Sequence, residues 1–292
     1  MRSIVKTHMH DYGFYGPESV TWKIGRETAI LLGGARAVLM QLAHPLVAMG
    51  VSEHSAYMSD PFSRTWNTFL LGQMLTFGST ATALRAARTI NRLHKHVHGT
   101  LPAPAGVYTG GTPYDARDPE LLLWVHATLI DTILLMYPIL VGPLSTTEQE
   151  QYYQESKASG RMLGLSPAYM PRTLRDLQQY VSDMVYSDRL AATPQARRLA
   201  QQVLFPPAPR TIRPLLHLNL QMTCALLPQP IRAVYGLEWG NWRQRAFDLS
   251  TWSIRTVMPL LPVHFRELAI TRYLMEKGES RWSLTTEERN IS

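Results

Sequence analysis

The chain reads as all-α, and two observations carry that reading. Apolar residues recur at spacings of three and four along most of its length, and no stretch longer than about six residues keeps the strict alternation of a half-buried strand. Helix start signals recur too: Asp60-Pro61 and Asp118-Pro119 each set a capping carboxylate ahead of a proline at the first helical position. In chain order, WKIGRETAILLGGARAVLMQLAHPLVAM (22–49) forms one long helix or two, with Gly33 and Gly34 permitting close packing and Pro45 a kink. DPFSRTWNTFLLGQMLTF opens a second helix at Asp60. Ser79 or Thr80 caps a third, which carries RLHKHVHG (92–99) and stops at Gly99. TLPAPAGVYTGGTPYDARDP (100–119) is the one long loop, and Asp118 then caps a helix through LLLWVHATLIDTILLMYPILV (121–141). Later helices are expected at 146–163, 171–187, 194–204, 211–226, 239–258 and 264–277, with proline-rich joints such as FPPAP and LLPQP between them. No repeat or low-complexity tract interrupts the pattern. The simplest organisation is a single large helical domain over 20–277, preceded by an N-terminal segment (1–19) and followed by a tail (278–292).

Composition bounds what such a domain does. Of 292 residues, 45% are hydrophobic and 17% charged, enough to bury an extensive core. The formal charge is +7, but the basic residues are spread singly, which argues against nucleic acid as a partner. Cys224 is the only cysteine, so neither an internal disulfide nor a CxxC motif exists, and a reducing, cytoplasmic setting is expected. The first 20 residues lack the apolar core of a secretion signal. Residues 121–141 match a bilayer in length, yet His126 and Asp131 lie inside the run and Pro138 is expected to break its last turns. A central helix buried on all sides is therefore expected, not a transmembrane segment. Peripheral membrane contact is compatible with the charge and with Trp239, Trp242 and Trp252; oligomeric state is not specified.

Familiar catalytic motifs are missing: there is no HExxH, GxSxG, Walker loop or GxGxxG. What remains is histidine. At about 100° per residue, His126 shares a helix face with Leu122, Leu129, Ile130 and Ile133. A buried imidazole needs a partner, either a backbone or side-chain group or a metal. In RLHKHVHG, Arg92, Lys95 and His96 share one flank. His94 and His98 form an i,i+4 pair on the other flank of the stripe Ala86, Ile90, Leu93, Val97. Such a run is either a solvated helix end or part of a site. Gln41 and His44 form a third polar pair, three apart on an apolar helix, bonded internally or facing a cavity.

GGARAVLMQLAHPLVAMGVSEHS, DPFSRTWNT, ARTINRLHKHVHGTLP, YDARDPELLLWVHATLIDT and LVGPLSTTEQEQYYQE resemble, in that order, the domain shared by latex clearing proteins (rubber oxygenases) and MpaB-type oxygenases. The later LLPQPIRAVYGLEW and PLLPVHFRE fit its bacterial members, and the similarity spans roughly residues 20 to 270. The resemblance implies a globin-like core that holds haem b and activates dioxygen to cleave double bonds of an apolar, isoprenoid-like substrate. It matches the proximal iron ligand to His126. An Arg-x-x-Lys-Thr arrangement on the distal side matches Arg92, Lys95 and His96, with Lys95 standing 31 residues before His126 as in latex clearing protein. His96 replaces the threonine, which sets a second imidazole beside Lys95, itself the matched distal ligand; His94 lies nearer the apolar stripe. By the same reading Arg92, His94, His44 and Gln41 are candidates for holding the cofactor. A haem carrier or sensor without turnover, and a non-haem helical interaction protein, are the alternative functions.

Overall fold

The structure is a computed structural model that describes residues 11–54, 61–206, 209–262 and 266–278; Asp60 and most of the two terminal segments lie outside the described residues. It is all-α but for one two-stranded ribbon.

The run from 22 to 49 is more broken than its periodicity suggests. Helix α1 (Val20–Gly25) is capped by Ser19, whose hydroxyl accepts from Trp22 N. A 3-10 turn (Thr28–Gly33), α2 (Gly34–Leu42) and α3 (Pro45–His54) follow. The path turns through 108° between Leu42 and Pro45. Proline has no N–H to continue the ladder, so His44 N closes a tight turn onto Gln41 O and Pro45 starts a new helix. Gly33 is required where the chain crosses the central helix: a Cβ there would sit 2.7 Å from Met136 Cγ and 2.8 Å from Thr132 Cγ2. Gly34, by contrast, faces open space.

Helices α4 (Pro61–Phe77) and α5 (Thr80–Lys95) pack along one another, with Ser79 capping α5. Helix α5 ends at Lys95, four residues before Gly99. His98–Thr100 is strand β1, paired antiparallel with β2 (Pro113–Asp115) in the register His98 to Asp115. The loop at 100–119 is thus largely a hairpin, tied by Ala116 N to Val97 O (2.9 Å) and Leu101 N to Thr112 O (2.8 Å). Backbone pairing across a loop leaves no trace in helical periodicity, which is why the expected helix overran. His98 consequently leaves the helix, and the His94/His98 pair does not exist.

Helix α6 (Pro119–Leu140) is the centre of the molecule. Asp118 caps it by accepting from Glu120 N (2.8 Å), and it runs through Pro138 to Leu140. A proline so near a C-terminus removes a single ladder bond, and the buried Met136, Tyr137 and Leu140 hold that turn in the core. Against α6 pack α2, the 3-10 turn at 28–33, α7 (Thr146–Met162), α8 (Leu174–Val185) and α12 (Asn241–Val257). Both α7 and α8 begin with capping boxes, Ser145/Glu148 and Thr173/Asp176. Around them lie α9 (Pro194–Leu204), α10 (Arg213–Leu226), α11 (Gln229–Tyr235) and α13 (Ala269–Lys277). The short α11 occupies the joint LLPQP…, where the sequence signals no helix; Pro230 fits its first turn and Gly236 closes it at φ 66.

Trp124 is fully buried, its indole donating to Met40 O (3.2 Å), and with Leu39, Ala127, Ile130, Tyr153 and Leu177 it forms the main core. A buried cation fastens this layer: Arg36 of α2 donates to Asp131 Oδ2 (2.8 Å), Thr132 Oγ1 (2.6 Å) and, at the end of α10, Leu226 O (2.8 Å). Length and hydropathy would let α6 cross a membrane; here those five elements cover it. The cover is incomplete, which corrects the expectation of burial on all sides: Leu129 is 44% exposed, and Leu122, Val125, His126 and Ile133 are only partly covered. The open strip of α6 is the strip that carries His126.

Candidate functional site

His126 stands in the second turn of α6, and its Nε2 is buried without a hydrogen-bond partner among the described residues. Burial pushes its pKa down to about 4, so the imidazole is neutral near pH 7. Its face is apolar, and an unsatisfied ring nitrogen there costs on the order of 1–3 kcal/mol. Beyond the nitrogen lies Gly160, in the last turn of α7. A Cβ at that position would come within 3.3 Å of His126 Nε2 and 2.8 Å of Met170 Cε. Glycine in a helix is unfavourable by up to roughly 1 kcal/mol relative to alanine; at 160 it lets α7 approach the imidazole edge more closely than a side chain would allow. Among the described residues no three His, Cys, Asp or Glu side chains come together. Among the described residues His126 thus stands without a cage of further donors.

The stretch RLHKHVHG divides by exposure. Arg92, Lys95 and His96 are exposed, whereas His94 is turned partly inward; burial first, and the Arg64 charge second, hold its pKa below the usual imidazole range. Their exposure sets Arg92, Lys95 and His96 apart from the buried Nε2 of His126. Asn91 Nδ2 donates to Met162 O (2.9 Å), two residues beyond Gly160, fastening this flank of α5 to the end of α7. Lys95 lies one turn past Asn91 on the same flank, with Arg92 beside it.

Gln41 and His44 are not brought to this site. Gln41 Nε2 donates to Thr128 Oγ1 (3.2 Å), and Thr128 lies about 160° around α6 from His126. His44 is 3% exposed and shares a 2.9 Å hydrogen bond with the Tyr108 hydroxyl through Nε2, while Nδ1 has no partner among the described residues. Desolvation, then the Arg189 charge, lower its pKa to about 4. The pair is thus bonded internally and fixes the hairpin to α3's first turn. Sequence reasoning missed Gly160, Met170, Asn91 and Tyr108. A glycine inside an otherwise regular helix was the one legible signal among them; the others act only through tertiary contact.

Fold and site together describe an all-helical domain in which the Nε2 of His126 is buried and without a partner among the described residues. The family model described as "ER-bound oxygenase mpaB/B'/Rubber oxygenase, catalytic domain" matches residues 22–256, and the chain belongs to this family. Among curated proteins it is similar to Uncharacterized protein Mb2261 of Mycobacterium bovis and Uncharacterized protein Rv2237 of Mycobacterium tuberculosis. Each is 27% identical over 234 residues, covering 78% of this chain and 88% of the relative. No solved structure matches the chain.

Proposed function

We propose that the protein is a haem b-dependent oxygenase in which His126 is the proximal iron ligand and the substrate is an apolar, isoprenoid-like chain. The observation that carries this is the buried Nε2 of His126, without a partner among the described residues, on an incompletely covered apolar strip of α6. The donor set fits: a lone imidazole would suit a metal that arrives already held by its own macrocycle, whereas a bare zinc site needs at least three protein ligands. When bound, the group supplies dioxygen activation.

The chain's residues do the rest. His126 binds through a neutral ring nitrogen with no competing proton near pH 7. Leu122, Val125, Leu129 and Ile133 offer an apolar seat that excludes water from one side. Arg92, Lys95 and His96, exposed on α5, are the residues that the family resemblance would set on the distal side, Arg92 as a permanent cation. His94, half-buried on the same helix, is the alternative. The same arrangement would serve a haem carrier, and turnover separates the two readings.

The test compares wild type with His126→Ala, each titrated with hemin. Wild type is expected to take up one equivalent with a Soret band, and the variant to stay soluble and haem-poor. Oxygen uptake with a polyisoprenoid then tests turnover. Full haem occupancy with an unchanged spectrum in the variant would remove His126 from the site.

A further inference from the structure

Helix α12 is anchored by Phe247, but its other side has no cover among the described residues. Trp242 is 70% exposed, Leu249 64% and Trp252 65%. At 3.6 residues per turn, positions 242, 245, 249 and 252 fall within an arc of about 80°. Two indoles, a leucine and Arg245 thus form one outward stripe. Further exposed apolar side chains follow, Val257 at 50% and Leu260 at 78%, and α10, which packs on α12, exposes Leu215 at 58%. Trp239 differs, since its ring packs on Phe247 and its indole donates to Gln244 Oε1 (3.0 Å). Contiguous exposed apolar side chains of this size mark an interaction surface.

Charge says what covers it. Residues 210–226 and 241–257 carry Arg210, Arg213, Arg243, Arg245 and Arg255 against the single acid Asp248. Among the described residues none of these arginines makes a salt bridge. Arg243 stacks over Trp242, 5.4 Å from the ring centroid. Tryptophan and arginine together are the side chains that suit the headgroup layer: an amphipathic ring at the boundary, and a cation on a long apolar stem reaching phosphate.

We propose that this face docks on an anionic lipid bilayer, α12 lying in the interface plane with Trp242, Leu249 and Trp252 among the headgroups and the arginines on lipid phosphate. A second copy of the chain is the poorer occupant, because a two-fold contact would set this arginine-rich surface against itself, whereas an acidic surface complements it. The inference is independent of the proposed haem chemistry.

Co-sedimentation of the full chain with phosphatidylcholine vesicles, with and without phosphatidylserine, tests it. Binding is expected only to the phosphatidylserine vesicles, weakening as salt is raised, with a blue shift of tryptophan fluorescence. Arg245→Gln should weaken partition about five-fold, and the Trp242→Ser/Trp252→Ser double variant on the order of ten-fold or more. Circular dichroism of both should stay at the parent's, since these side chains are exposed. Absence of binding, or a double variant that binds like the parent, overturns the proposal. So does a parent that self-associates through this face and becomes monomeric in the double variant.

Discussion

Two imidazoles, His126 and His44, are held neutral by burial, each with a pKa near 4. In the unfolded chain each titrates near 6.5. Between those values the unfolded state binds more protons, so stability is complete above about pH 6.5 and falls as pH drops through the window toward 4. The loss is at most roughly 3 kcal/mol per histidine. Thermal melts should show a midpoint that is level near neutrality and falls below about pH 6.5. His44→Gln should flatten that fall while lowering the neutral midpoint, because the Tyr108 bond is changed. An unaltered profile in this variant would assign the acid sensitivity elsewhere. Gly160 offers a second residue-scale test. In Gly160→Ala the new methyl meets Met170 Cε, the end of a flexible side chain, and His126 Nε2. The fold should survive at a cost of about 1–3 kcal/mol, while hemin affinity falls on the order of ten-fold at a cost in that same range. Undiminished hemin affinity would mean that the close approach of α7 at 160 does not position the imidazole.

At the scale of elements, α6 is held in register by polar contacts as well as by its apolar face. Arg36 joins α2 to Asp131 and Thr132 of α6 and to the last turn of α10. Its side chain is 5% exposed and that of Asp131 26%, so the pair is only partly screened. Arg36→Ala leaves a half-buried carboxylate and a free carbonyl, and should cost roughly 3 kcal/mol. Urea denaturation is expected to show the midpoint falling with little change in slope. A loss under about 0.5 kcal/mol would place Arg36 with ordinary surface pairs. Periodicity located α9 to the residue, and α6, α7, α8, α10 and α12 to within a few. It failed where backbone partners came from elsewhere: at β1, which ended α5 early, and at α11, whose seven residues are too few to show a period.

For the whole molecule, the closing question is how its ends are held. Arg26 pairs with Glu267 (2.7 Å) and Arg266 with Glu27 (2.5 Å), a crossed exchange joining the start of the helical domain to the segment before α13. Both carboxylates are 6% exposed. Helix α13 then buries Ile270 and Leu274 against Leu70, Leu71 and Phe77 of α4, and Ser79 N bonds to Gly278 O (2.7 Å). The family match ends at 256, yet this helix completes the cluster around α4 and α5. A chain cut after 262 should lose two buried ion pairs and an apolar face, and become insoluble or melt well below the parent. A truncated chain with the parent's midpoint would make α13 an appendage.

What the sequence by itself determined was the all-α class and most helix positions. Both rest on local rules: spacing and capping residues. Resemblance then supplied the family, which the match over 22–256 established. Tertiary structure alone decided which polar residues meet. Gln41 and His126 lie on the same central contact yet on opposite faces of α6, a relation set by how α2 crosses it. Arg92, Lys95 and His96 project from the outer flank of α5, while His94 turns inward. The physical reason is the same throughout. A helix fixes the angle of each side chain about its own axis, but only packing against other helices fixes what that angle faces.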